Sequence, residues 1–214
     1  MLASVHSLVS LARPAVETQE AGALASRLPR GRLVELVGQR AGAQMSTAVA
    51  CVRWAQEQGE PVAWVQVAGG PLYPPDLAAC GVDLEALIVV QVPPGALPFG
   101  VPRAAELLLR SSGFGLVVVD LGDAALGDGR LRADTAWQGR LLGLSREHEC
   151  SVILLSDAES RQHSLGPLIS VCIEPRRQRT APGRFTVEHH VRKDKSGLLG
   201  ALRSEPRRGP WGLL

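Results

Sequence analysis

The stretch Gly38-Gln39-Arg40-Ala41-Gly42-Ala43-Gln44-Met45-Ser46-Thr47 decides how this chain folds. It lies between an apolar run, Leu33-Val34-Glu35-Leu36-Val37, and a segment of helical character over residues 45–58. That is the position of a P-loop, the turn that carries a buried strand into a helix N-terminus and cradles phosphate. Its frame is legible: Gly38, four residues, then Ala43-Gln44-Met45. A working loop has Gly-Lys-Ser/Thr at those last three positions, the lysine for phosphate and the hydroxyl for magnesium. Alanine, glutamine and methionine stand there instead. The turn is kept and its chemistry is missing.

Outward from the loop, continuous apolar runs over residues 33–37, 62–67, 87–92, 116–120 and 151–156 predict strands buried on both faces of a mainly parallel sheet. Between them, residues 45–58, 75–80, 101–112 and 134–148 predict helices, and Gly59, Gly81 and Gly113 follow three of these as C-terminal caps. Such alternation predicts a three-layer α/β fold with right-handed crossovers. Two further strands, over residues 169–174 and 185–192 and joined by a basic turn at 176–183, predict an antiparallel hairpin that finishes the sheet. The expected division is a helical arm over residues 1–28, a core over 29–200 and a flexible basic tail over 201–214. In the arm, Leu2, Val5, Leu8, Val9 and Leu11 have helical spacing that Pro14 ends; a cap on the domain and a docking arm are both open readings. The proline, glycine and arginine of the tail predict no regular element there. Its Trp211, Leu213 and Leu214 would either anchor a partner or fold back onto the domain.

With 214 residues, 45% of them hydrophobic and 21% charged, the chain can bury a sizeable core. No apolar run nears the ~20 residues of a membrane span, and no positive region precedes a hydrophobic segment at the start, so neither membrane insertion nor secretion is expected. Cys51, Cys80, Cys150 and Cys172 lack paired spacing, which predicts reduced cysteines in a cytoplasmic protein and no metal site. Net charge is only +2, yet residues 174–208 hold ten cations against four acids. Lys193 and Lys195 are the only two lysines in the chain, beside 21 arginines.

Taken in order, these segments resemble the ATPase core of RecA over roughly residues 30–200. The residues that carry the likeness are Gly31-Arg32-Leu33-Val34-Glu35-Leu36-Val37-Gly38, Pro61-Val62-Ala63-Trp64-Val65-Gln66-Val67, Gly81-Val82-Asp83-Leu84-Glu85-Ala86-Leu87 and Leu116-Val117-Val118-Val119-Asp120. Within that family the chain looks most like ImuA, the shortened RecA-like proteins of bacterial mutagenesis cassettes. The resemblance implies a part in damage-induced (SOS) translesion DNA synthesis. Implied partners are RecA, the polymerase-like ImuB and, indirectly, an error-prone replicative-type polymerase.

Carried over residue by residue, the resemblance also implies an inactive site. Asp120 matches the Walker B aspartate that holds magnesium through water, although an acid there can equally be a satisfied helix cap. The glutamate that activates water in RecA falls at Ala68, and the glutamine that senses the γ-phosphate falls at Asp157. With Gln44 for lysine and Met45 for the hydroxyl, the parts that phosphoryl transfer needs are absent. No catalytic residue and no cofactor are expected, and Gly38, Gln44, Met45 and Asp120 are vestiges. Counterparts of the two DNA-binding loops of RecA, residues 121–132 with Arg130 and Arg132 and residues 158–167 with Arg161 and His163, are short. The basic segment offers a different phosphate-contact surface for single-stranded DNA through Arg176, Arg177, Arg179, Arg184, Arg192, Arg207 and Arg208. Its competing reading is a solvated charged face.

Arg192-Lys193-Asp194-Lys195 matches the RecA segment whose two lysines reach across a subunit interface to the neighbour's ATP phosphates. Lys193 and Lys195 are thus candidates to act in trans on an active RecA protomer, against the plainer reading of two solvated lysines. The expected function is a non-catalytic RecA-like accessory protein. An atypical DNA-dependent P-loop ATPase and a SulA-like inhibitor of cell division are the alternatives.

Overall fold

The computed structural model describes residues 24–38, 42–122, 126, 129–157, 164–197, 199, 200, 202 and 204–208. Eight strands form one sheet: β1 (Leu33–Gly38), β2 (Val62–Val67), β3 (Leu87–Val92), β4 (Leu116–Asp120), β5 (Ser151–Asp157), β6 (Val171–Ala181), β7 (Arg184–Asp194) and β8 (Glu205–Arg208). Their order across the sheet is β3-β2-β4-β5-β1-β6-β7-β8. Pairing is parallel from β3 to β6 and antiparallel from β6 to β8. Among the described residues, the α-helices include α1 (Gln44–Glu57), α2 (Pro74–Ala79), α3 (Gly100–Arg110), α4 (Arg130–Ala133) and α5 (Ala136–Glu147).

Two apolar layers sandwich the sheet. On one face Val34, Leu36, Trp64, Val118 and Ile153 pack against α1. On the other, Leu33, Val65, Val117 and Leu154 pack against α3 and α5, where Trp137 and Leu141 are buried. The central strands β1, β2, β4 and β5 are buried along almost their whole length. This is the expected three-layer α/β fold, closed by an antiparallel hairpin. Across α3 and α5, the buried carboxylate of Glu106 gathers Arg103, Arg110 and Arg140 at 2.9–3.1 Å. Those bonds satisfy a charge that the interior would otherwise penalise.

Several local expectations are corrected. The run over residues 87–92 forms a strand but is not covered on both faces: β3 ends the sheet, with Ile88 51% and Val89 39% exposed. Its β-branched composition gives strand propensity without telling centre from edge. The expected helix over 134–148 begins two residues later, at Ala136, because Asp134 has extended backbone and its carboxylate accepts the Ala136 N–H at 2.9 Å. Gly59 and Gly81 do take left-handed caps, whereas Ser112 rather than Gly113 does so after α3. The basic turn at 176–183 is mostly strand: β6 runs to Ala181, and Pro182-Gly183 alone makes the reversal. The tail was expected to form no regular element, yet Glu205–Arg208 pairs with β7 from Val187 to Arg184. A free edge on β7 gives even a short basic segment somewhere to satisfy its backbone. Of the arm, residues 1–23 lie outside the described residues, as do Trp211, Leu213 and Leu214. The described end, Leu24 and Ala25, is buried against α1.

Candidate functional site

In a parallel sheet the chemistry gathers where strands end and helices begin. Here β1, β4 and β5 finish together: Gly38 is in register with Asp157, and Asp120 with Leu155. The counterpart of the P-loop leaves β1 at Gly38; residues 39–41 lie outside the described residues.

What remains of the loop is occupied by the chain's own groups. Gln44, in the place of the lysine, donates from Nε2 to Asp157 Oδ1 at 3.2 Å. Its Oε1 is buried with no hydrogen-bond partner among the described residues, and lies 2.9 Å from where a Cβ on Gly38 would stand. The glutamine thus lies over the end of β1, and a Cβ at 38 would push its flexible end aside. Met45 packs against the core beneath α1 and offers no ligand to a metal. The Ala43 N–H, a donor at the helix entrance, is given to Pro175 O at 3.2 Å. Ala68, where the water-activating glutamate is expected, is exposed and binds Val92 O through its N–H at 2.9 Å.

Asp120 and Asp157 complete the site. Burial pushes the Asp120 carboxyl up to about 6; the Asp157 carboxylate adds to the rise, and a hydrogen bond from the Gly122 N–H opposes it. Two acids thus stand at neighbouring strand ends, and the Gln44 amide donates to one of them. Among the described residues no group of three or more His, Cys, Asp and Glu could hold a metal ion, and no helix is long and apolar enough to cross a membrane.

Glu35 is a site residue that sequence reading passed over. It is 1% exposed in the middle of β1, accepting the Ser156 hydroxyl at 2.6 Å and the Leu165 N–H at 2.9 Å. The signal was present: a lone charge inside an apolar run destined for burial needs partners. Leu165 opens the far end of the second DNA-loop counterpart, so this carboxylate fastens residues 164–167 to the sheet. Residues 158–163 of that counterpart, with Arg161 and His163, lie outside the described residues, and the Arg132 side chain does too.

Lys193 and Lys195 close over the same segment from β7 and the residue after it. Lys193 Nζ donates to Gly166 O at 3.0 Å and Ser164 Oγ at 3.4 Å; Lys195 Nζ donates to Pro167 O at 2.9 Å. Burial and the neighbouring ammonium hold Lys193 below the usual lysine range. Both lysines are therefore engaged within the chain, rather than simply solvated.

The seven candidate arginines sort into distinct groups. Arg176 and Arg192 clamp Glu174 at 3.0 Å and 2.7 Å and lie on the hairpin face away from α1. Arg207 is paired with Glu205. Arg177, Arg179 and Arg184 have no carboxylate partner among the described residues. Arg177 instead lies over the Phe185 ring, 5.1 Å from its centroid, a cation–π contact. The register aligns Arg179, Phe185 and Arg207 across three strands. With Gly183, residues Arg177, Arg179 and Phe185 line an open recess of about 360 Å³. Of Arg208 only the backbone is described.

Comparison with known proteins agrees with this architecture. The chain is 36% identical to RecA of Clostridioides difficile over 93 residues, 44% of this chain and 26% of that protein. It is 29% identical to RecA of Prochlorococcus marinus over 173 residues, 72% of this chain and 44% of that protein. In structure it is similar to the RadB recombinase, with a TM-score of 0.61 and 19% identity over 85% of this chain and 88% of that one. No protein-family model matches. The chain is RecA-like in sequence and has a recombinase-type fold, and it spans under half the length of the RecA proteins it matches.

The raised Asp120 fixes a pH dependence. The folded protein keeps that proton to higher pH than the unfolded chain, so Asp120 costs stability as pH rises through about 4 to 6 and costs nothing below about 4. Asp120→Asn is expected to stabilise the protein at about pH 8, by on the order of 1–2 kcal/mol, and to be neutral at about pH 4. A melting series over that range that gives a constant or opposite difference would remove the assignment.

Proposed function

We propose that this chain is a non-catalytic RecA-like accessory factor of damage-induced translesion DNA synthesis, acting on RecA and bridging to an ImuB-type polymerase-like protein and to DNA. The observation that carries the reading is Gln44: its amide lies over Gly38 and bonds Asp157, where a nucleotide's phosphates would need a lysine and free donors. The packing of Met45 and the exposed Ala68 support it. The link to translesion synthesis and to those partners rests on the resemblance of the chain to ImuA.

Purified protein given ATP, magnesium and single-stranded DNA is expected to release no phosphate. Turnover that Asp120→Ala abolishes would establish the competing reading, an ATPase with an atypical loop.

Lys193 and Lys195 are the pair proposed to meet the ATP phosphates of a RecA neighbour in trans. To do so they exchange the neutral carbonyl acceptors of residues 164–167 for anionic phosphate oxygens, adding the attraction of opposite charges to bonds that the ammonium already assists. Combined Lys193→Ala and Lys195→Ala should weaken binding to RecA with ATP by about tenfold, the loss of roughly 1.4 kcal/mol. Equal affinity of variant and parent by interferometry would dismiss the trans role.

For DNA, the arginines without acidic partners are the proposed contacts. Replacing Arg177, Arg179 and Arg184 together by alanine should weaken single-stranded DNA binding and flatten its log–log salt dependence by about 2, at roughly 0.7 per phosphate contact. The pair Arg176→Ala and Arg192→Ala, which breaks the Glu174 clamp, should change that slope less. The reverse ranking would move the DNA surface to the arginines that clamp Glu174.

A further inference from the structure

Strand β8 is four residues long and hydrogen-bonded to β7 alone, at the end of the sheet. Pro206 within it has no N–H to give the ladder. Of its described side chains, Pro206 is exposed, Arg207 is half-buried and only Glu205 is buried. The strand therefore has no apolar anchor. A short edge strand of that kind stays in place through what lies beneath it, and beneath β8 lies a polar cluster.

Glu205 Oε1 faces His189 Nδ1 of β7 at 4.0 Å, and His189 Nε2 lies 3.5 Å from Thr47 Oγ1 of α1. All three residues are less than a tenth exposed. Neither His189 Nδ1 nor Glu205 Oε1 has a hydrogen-bond partner among the described residues. The other oxygen of the carboxylate, Oε2, is taken by Arg207 of the same strand. From α1 the cluster also meets Cys51, whose thiol burial and Glu205 push up to about 12 and which thus stays neutral. From β6 it meets Pro175 opposite His189 and, one pair along that face, Arg177. With a neutral imidazole, the charges of Glu205 and Arg207 cancel. A proton on His189 adds a buried positive charge, and the carboxylate that faces it is already shared with a guanidinium.

We propose that His189 is an acid-sensitive latch on β8: the neutral ring lets the strand dock on β7, and protonation of the ring releases it. Burial holds the imidazole below its ordinary value, Glu205 opposing and Arg207 adding to the effect. The docked state thus binds the proton less readily than the released one. Below the ordinary histidine value of about 6.5, release takes up one proton, so docking weakens as pH falls, by at most about tenfold per pH unit. Release also carries Arg207 away from its cross-strand partner Phe185, altering the basic face. The latch itself does not depend on the accessory role proposed above.

Amide hydrogen exchange of the full chain between about pH 7.5 and 5.5, corrected for the intrinsic rate, tests it. Protection at Glu205 and Arg207 should fall by up to about tenfold per pH unit below about 6.5 while amides of β4 and β5 stay protected. In His189→Leu the protection of β8 should be flat with pH. Should that variant fail to fold, nitrogen NMR of the His189 ring in the parent reads the same linkage and should show a midpoint below about 6.5. Flat protection in the parent, an unchanged pH dependence in His189→Leu, or β8 tightening in acid would each overturn the latch.

Discussion

Strand β1 is hydrogen-bonded in parallel to β5 on one side and to β6 on the other, and the rest of the molecule is arranged by that placement. It brings the end of β1 beside the ends of β5 and β4, which is why Gly38, Asp157 and Asp120 converge though they are far apart in the chain. It also sets the start of the hairpin against the entrance of α1, where the Ala43 N–H meets Pro175 O. The buried carboxylate of Glu35 adds a polar tie at the middle of the same strand. Because both bonds to that carboxylate reach other elements, β5 and residues 164–167 are fixed relative to β1 by charge as well as by apolar packing.

The same convergence gives the turn after β1 a structural use. Gln44 bonds across to β5, Met45 packs against the layer under α1, and the backbone N–H of Ala43 serves the hairpin. Opposite this site, Lys193 and Lys195 finish residues 164–167 by donating to carbonyls.

Much of the fold was legible in the sequence because it rests on local pattern. Five apolar runs gave five parallel strands, and glycines marked two helix ends. Properties set by position in the sheet were not legible. The run over 87–92 reads like the run over 116–120, yet only the first lies at an edge, and no local signal carries that distinction. The length of the hairpin was hidden because arginine at alternate positions suits an exposed strand as well as a turn. Strand β8 was hidden because its pairing depends on the free edge of β7 rather than on its own composition. At the site, the identities at 38, 44, 45, 68, 120 and 157 could be read from order alone. The partners of Glu35 and Lys193, and of His189 on α1, could not, since those contacts span more than 25 residues of chain.

The hydrogen bond from Gln44 to Asp157 couples two positions that lie far apart in the chain. A lysine placed at 44 would meet a carboxylate within reach and form an internal ion pair. A glutamine placed at 157 would face another amide at 44. Neither position can change alone without cost to the present contact. The two residues work as key and lock, and a change in one is tolerated only with a matching change in the other.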